Sequence, residues 1–418
     1  MSEYSYSENT YTDKSDGDVI EPEHVNDLQD EVEVVEGVIT GGLEGQSLVA
    51  DAQGKAGWGE GGLPAAEQAE QEAGILDDVA CVPAYSPLRK IGNGWALGTG
   101  GNDRGINSVD LQVDRANDNE VASGENAFLG SGEENIASGT RSAVLSGLEN
   151  EATGTNSFVL CGYNNKSSDS SSPIIGGKSN TLTSYSSIFG GGELNSITST
   201  KYYNVIMGGY DNTIVGDSEY CFIGAGKTCD IVGASKNCII GGGYKNNIEA
   251  EYTAILGGYW NIANGNSAAI GGGYRNIADG KYAAIGGGNG NQVTSMMGSI
   301  PGGCGGKASL YGQQAQASGV FLIKGDAQIS NLVARQQTTD STPKELYLDR
   351  YSQRLVIISD TTWLFRIMVV ARRTDADNES AGYEFKGVID NNAGTTALVG
   401  AVPKTVIAED SDGWDCTV

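Results

Sequence analysis

The sequence predicts a mainly β chain: a trimeric β-roll or β-solenoid stalk with a short N-terminal helical attachment segment and a C-terminal antiparallel β domain. A glycine-cornered repeat running from about Gly124 to Ser309 carries this reading. Its apolar strand-end residue recurs at Leu129, Leu145, Leu160, Ile175, Phe189, Met207, Ile223, Ile240, Leu256, Ile270, Ile285 and Ile300, with gaps of 16, 15, 15, 14, 18, 16, 17, 16, 14, 15 and 15 residues. A near-fixed period means stacked rungs, each a single structural unit. A rung this short has no room for a helix beside a strand and two turns, so it is β. The twelve recurring residues are the expected shaft core.

Residues 1–37 hold twelve Asp or Glu and one Lys, and disorder is expected over the first twenty. After Pro22, residues Val25, Leu28, Val32 and Val35 follow at helical spacings of three, four and three. They read as a trimerisation helix or as a lone amphipathic helix resting on a partner, and either serves attachment. Residues 38–102 are a Gly/Ala-rich linker region with a candidate helix around Ala65–Ala73; Trp58 and Trp95 take no role there. Residues 103–318 form the repeat shaft, entered through 103–123. Residues 319–418 form a tip with strand-like runs at Val320–Ile323, Leu346–Leu348, Arg354–Ile358, Trp363–Ala371 and Tyr383–Ile389. Such a domain caps the unpaired backbone of a last rung.

Each rung carries an unbroken apolar or small run before its glycines, such as Ala143-Val144-Leu145 or Cys238-Ile239-Ile240. Strand side chains alternate between faces, so such a run is covered on both sides. One face fills the coil and the other meets something else. A rung buries only a handful of side chains against ~1–2 kcal/mol of backbone ordering per residue. A closed homotrimer supplies the missing cover most simply. At ~4.8 Å per rung, twelve rungs span ~55 Å. The corners call for glycine and asparagine, the residues most tolerant of positive φ.

The 418-residue chain has a net charge of −27. That argues against nucleic acid, whose phosphates need a basic face. Seven cysteines, odd in number and irregularly spaced, read as small buried hydrophobes in a reducing cytoplasm rather than disulfides. No long apolar run marks a membrane span, and Met1-Ser2-Glu3-Tyr4 opens no signal peptide.

Asn266-Ser267-Ala268-Ala269-Ile270-Gly271 is similar to the head repeat of trimeric autotransporter adhesins, which form left-handed parallel β-rolls in trimers. The whole arrangement resembles a tailed-bacteriophage tail fibre more closely. The resemblance is carried by the lead-in Arg104-Gly105-Ile106-Asn107-Ser108-Val109-Asp110-Leu111-Gln112, the serial Gly-Gly-Gly-x-x-Asn rungs, the end segment from Val369 to Asp390, and Glu21-Pro22-Glu23-His24-Val25-Asn26-Asp27-Leu28-Gln29. It implies a homotrimer in the virion, assembled in the host cytoplasm. It further implies an N-terminus docked on baseplate or tail proteins and a distal end that binds a host-surface glycan or protein. No cofactor and no catalysis are implied. Similar chains continue with further strands after a stretch like Ala408–Asp415, so the tip is short of that pattern.

Other chemistry is weaker. Gly224-Ala225-Gly226-Lys227-Thr228 resembles the end of a phosphate-binding loop, but Cys221 replaces its required glycine. The rungs lack the regular Asp of calcium nonapeptides; any metal would be an ion on the trimer axis. Asp360, Asp375, Asp377 and Glu379 are candidate carboxylates for a tailspike-like polysaccharide depolymerase. That and a bacterial trimeric adhesin are the alternative readings. Tyr210, Tyr244, Tyr259, Trp260 and Tyr274 are expected as a stacked ladder or a carbohydrate-binding stripe. Trp363, Tyr383, Phe385 and Trp414 are the tip aromatics, with Tyr383 and Trp414 as possible receptor contacts.

Overall fold

The computed structural model describes residues 89–96 and 101–418, apart from 341, 375–378 and 411–414. Before residue 89 it describes the backbone of Tyr4–Ser7, Thr10–Asp13, Val19–Ile20, Ser47–Ala50 and Ala56–Gly59. Val25, Leu28, Val32 and Val35, the Ala65–Ala73 stretch and Trp414 lie outside the described residues. The chain divides into two units, 1–86 and 87–418.

In the first unit, Tyr4–Ser7, Thr10–Asp13 and Val19–Ile20 form an antiparallel sheet in which Tyr6 faces Tyr11. This differs from the disorder expected there. Acidity sets the average of the segment, but tyrosine and threonine favour strands locally. Ser47–Ala50 pairs with Ala56–Gly59, which places Trp58 opposite Leu48.

The second unit is a solenoid of about 15 turns, and no helix occurs among the described residues. Each regular turn contributes two short strands. The first strands stack in parallel, and their inward residues run Leu129, Val144, Val159, Ile174, Phe189, Ile206, Ile223, Ile240, Ile255, Ile270, Ile285, Ile300. Second strands, Ile136–Ala137 through Lys307–Ala308, form a twelve-stranded parallel sheet. Its inward column passes through Ala152, Leu182, Ile214, Ile248 and Val293, all fully buried. A single apolar core extends along the whole coil.

This register corrects five expected core residues. Leu145, Leu160, Ile175, Met207 and Leu256 are 37–66% exposed. Their neighbours Val144, Val159, Ile174, Ile206 and Ile255 fill the interior instead. In these runs both adjacent residues are apolar, so hydrophobicity alone leaves the phase ambiguous, and a one-residue slip exchanges the faces. Leu129, Phe189, Ile223, Ile240, Ile270, Ile285 and Ile300 do lie inside. With the phase corrected, the period is 15 residues everywhere except for three steps of 17, from Phe189 to Ile206, Ile223 and Ile240. The step from first to second strand is always eight residues, as from Phe189 to Ile197 and from Ile206 to Ile214. Both extra residues therefore enter at the opposite corner. There Tyr202, Tyr203 and Tyr220 pack together, with ring centroids 5.0–6.1 Å apart.

Asparagine holds the turn before the second strand. Asn150 donates its backbone N–H and Nδ2 to Asn135 Oδ1, at 3.0 and 3.1 Å, and Nδ2 also reaches Gly162 O at 2.8 Å. The pattern repeats through Asn165, Asn180, Asn195 and Asn212. It breaks at Cys229 and resumes from Asn246 to Asn291. These buried amides satisfy one another along the axis. Glycine is forced where rungs come closest: a Cβ on Gly273, at φ +90°, would lie 2.1 Å from Gly288 O. Two further corners per rung adopt left-handed φ, and in most rungs neither is glycine, as at Leu194, Tyr203, Trp260 and Tyr282. Stacking on neighbouring rungs over-determines these strained residues.

The coil is longer than the expected 103–318. Arg89–Ile91 and Gly94–Ala96 join its first sheet, so Trp95 pairs with Val109. At the other end Gln328–Asn331 pairs antiparallel with Gln314–Ser318. The tip retains two expected strands, Thr361–Arg372 and Ser380–Asn392, joined by Thr395–Leu398 and Lys404–Glu409 in a four-stranded antiparallel sheet. Val320–Ile323, Leu346–Leu348 and Arg354–Ile358 are not strands. Among the described residues they have no partner strand beyond the single Tyr347–Arg335 bridge, and Phe321 and Leu322 are 82% and 91% exposed.

Candidate functional site

The coil presents two opposite outer faces of different chemistry. On the first-strand sheet, three positions of each of the twelve rungs point outward or lie in the small-residue stretch. They run as Phe128, Gly130, Ser131; Ala143, Leu145, Ser146; Phe158, Leu160, Cys161; and so on to Ser299, Pro301, Gly302. None of these positions is charged, in a chain of net charge −27. The second-strand sheet shows Glu151, Lys166, Asp230, Glu249, Asp279 and Lys307 on its outside, with Lys166 Nζ 2.6 Å from Glu151 Oε2. An extended uncharged apolar face of this kind marks a contact surface.

Between the faces runs an edge of stacked rings and cations. Tyr244, Tyr259 and Tyr274 stack at 5.0 and 5.2 Å. Three of the five expected ladder residues are thus brought together, while Lys227 separates Tyr210 from them and Trp260 stands in the adjacent row. Lys245 Nζ lies 5.2 Å from the Trp260 ring centre and Arg275 Cζ lies 4.5 Å from it. Lys227 sits over Tyr210 and Tyr244. Because the ring faces point along the axis toward neighbouring rungs, they are not presented outward for a sugar to stack on. Gly224–Lys227 lies in the extended strand Phe222–Lys227 and forms no phosphate cradle.

The lead-in segment is a cap. Asp110 stands in the first interior column below Leu129 and is fully buried. Arg104 Nε donates to its Oδ2 at 3.0 Å and Arg115 NH2 to its Oδ1 at 2.9 Å. Burial lowers the Arg104 pKa, and Asp110 opposes that shift. Gln112 spans the first turn to Asn135. Sequence reasoning marked these residues only through their resemblance, without their roles.

In the tip sheet Tyr383 is 3% exposed and packs with Ala381 and Phe385. Its hydroxyl donates to Glu409 Oε1 at 2.9 Å. Burial, then the hydrogen bond and charge of Glu409, push its pKa up to about 12. Tyr383 is therefore a core residue, not a free receptor contact. On the other side of Thr361–Arg372, Leu364, Met368 and Val370 are 71–85% exposed. Of the candidate carboxylates, Asp360 accepts the Ala393 N–H and Glu379 pairs with Arg373; Asp375 and Asp377 lie outside the described residues. No metal-binding cluster of His, Cys, Asp or Glu occurs among the described residues. The six cysteines described are free thiols, and Cys221, Cys229 and Cys238 are buried.

No protein-family model and no curated protein matches the chain.

Proposed function

We propose that this chain is a structural and binding subunit of a fibre of the tailed-phage type. Three copies pack their uncharged faces around one axis, the N-terminal segment docks on tail proteins, and the far end meets a host-surface glycan or protein. The proposed role is non-catalytic. The observation that carries the reading is the charge-free face running the length of a coil whose residues 89–331 carry 20 Asp or Glu and 15 Lys or Arg, none of them at those outward positions. Charge repels like copies in solution, so its complete exclusion from one face is accounted for by packing against the same face of a sister chain. The exposed Leu364, Met368 and Val370 give the tip sheet a second face with the same need. Threefold display multiplies weak single contacts into avidity.

Sedimentation equilibrium is expected to give three times 43.5 kDa. A stable monomer with intact β structure would overturn the assembly. Purified protein is expected to block phage adsorption to susceptible cells; undiminished adsorption at saturating protein would remove the receptor role while leaving the trimer.

A further inference from the structure

The basic edge opens onto a groove of about 520 Å³ on the charged side of the coil, away from the uncharged face. Lys245, Trp260, Arg275, Asp230 and Asn247 line it, together with Lys324 from the segment after the last rung. Three properties set it apart. Its cations are unneutralised: among the described residues Lys227, Lys245, Arg275 and Lys324 form no ion pair. Elsewhere on the coil Lys166, Lys178 and Lys236 each pair with a glutamate. The cations are also held in place, because Trp260 is clasped between Lys245 and Arg275 one rung to either side. Finally, Asn247 lines the groove with its Oδ1 buried and without a hydrogen-bond partner, a polar atom the fold leaves unsatisfied beneath the site.

We infer that this groove binds an acidic polysaccharide, with Lys245, Arg275 and Lys324 taking its carboxylates and Asp230 accepting from its hydroxyls. Lys245 and Arg275 lie two rungs apart, ~10 Å along the axis. That spacing suits a polymer whose anions are separated by neutral polar groups. Single-stranded nucleic acid needs open aromatic faces for its bases. Here Tyr259 and Tyr274 stack on each other and Trp260 is covered by cations on both sides. A phosphate on every nucleotide would also press on Asp230. A neutral glycan has no use for unpaired cations. The groove stays open in the proposed trimer, because the face assigned to sister chains lies on the opposite sheet.

The test is titration of the full-length protein with polygalacturonate, dextran and oligo-dT at ~0.05 M and ~0.5 M salt. Polygalacturonate is expected to bind at low salt and weaken strongly at high salt, with dextran inert and oligo-dT weaker. The combined Lys245→Gln, Arg275→Gln and Lys324→Gln variant should lose about tenfold or more in affinity. Lys236→Gln, which alters a cation outside the groove, should lose none. Lys324→Gln alone lies beyond the last rung, spares the coil, and should still weaken binding measurably. Absence of polygalacturonate binding, equal affinity in wild type and the triple variant, or tighter binding of oligo-dT would overturn the assignment. The site is independent of the far-end receptor role: retained polygalacturonate binding without competition for cells removes that role alone, and the converse removes the groove alone.

Discussion

Gln112 Oε1 accepts both the backbone N–H and the Nδ2 of Asn135, at 2.8 and 2.9 Å. Its own Nε2 donates to Glu120 O and Asn135 O. A glutamine thus starts the asparagine ladder, its extra methylene reaching from a lead-in turn that lacks the regular rung geometry. The far end of the ladder is closed by the Gly306 N–H on Asn291 Oδ1. Replacing Gln112 with alanine leaves two buried donors unpaired, a penalty of about 1–3 kcal/mol each. Amide exchange at Asn135 should accelerate while exchange at Asn276 stays slow; unchanged protection at Asn135 would refute the capping role.

Glycine is required at some rung positions and optional at others. Gly273→Ala places a methyl 2.1 Å from Gly288 O at φ +90° and should destabilise by at least ~1–3 kcal/mol. Nothing lies within 4 Å of a Cβ on Gly287 in the single chain. Gly287→Ala should therefore keep the coil. The two variants melting together would show that steric closeness is not what selects glycine.

Leu145→Glu or Leu256→Glu puts a charge on the uncharged face without entering the core. Both are expected to reduce the sedimenting mass toward a single chain. Thr181→Glu, on the opposite sheet, should leave it unchanged. If all three behave alike, the face is not the contact.

Asp110→Asn strands the buried Arg104, which already has one NH2 without a partner, and should cost about 3–5 kcal/mol. The double change Arg104→Met with Asp110→Leu should cost less than the sum of the two single changes, because Arg104 is no longer left buried without its carboxylate, although Arg115 still loses its partner. Denaturant midpoints separate these outcomes; additivity of the single effects would rule out a coupled pair.

Tyr383 has a pKa raised to about 12 by burial and Glu409. Its contribution is fully present below the unfolded value of about 10 and is lost as pH rises from there through 12. Phenolate absorbance should show Tyr383 among the late-titrating tyrosines, beside Tyr202, which its hydrogen bond with Glu219 also pushes up, and the tip sheet should loosen over the same interval. Tyr383→Phe should reduce the late amplitude by one tyrosine and leave the tip sheet without that loosening; an unchanged late amplitude would assign the step to other residues.

The rung, its strand content and the glycine corners were legible because period and residue type report directly on backbone geometry. Phase was not: in Ala143-Val144-Leu145 only the pairing of Val144 with Val159 distinguishes inside from outside. The second column was also hidden, since Ala137, Ala152, Ala263 and Ala278 look neutral until stacking buries them. Leu194, Trp260 and Tyr282 could not be foreseen at left-handed corners, because a local rule forbids what neighbouring rungs enforce. The aromatic stack was visible as a repeat, whereas the cations between its rings came into view only when residues fifteen apart were superposed. Apolar runs around Phe321 and Leu355 look like strands but have no partner strand among the described residues.

The eight-residue stride from one strand to the next never varies, and every length change falls at a single corner. That corner behaves as a splice point. Duplicating or excising whole fifteen-residue units there would alter the reach of the rod in increments of ~4.8 Å while preserving the chemistry of both ends. A gene encoding such a chain can retune its span by copy number alone.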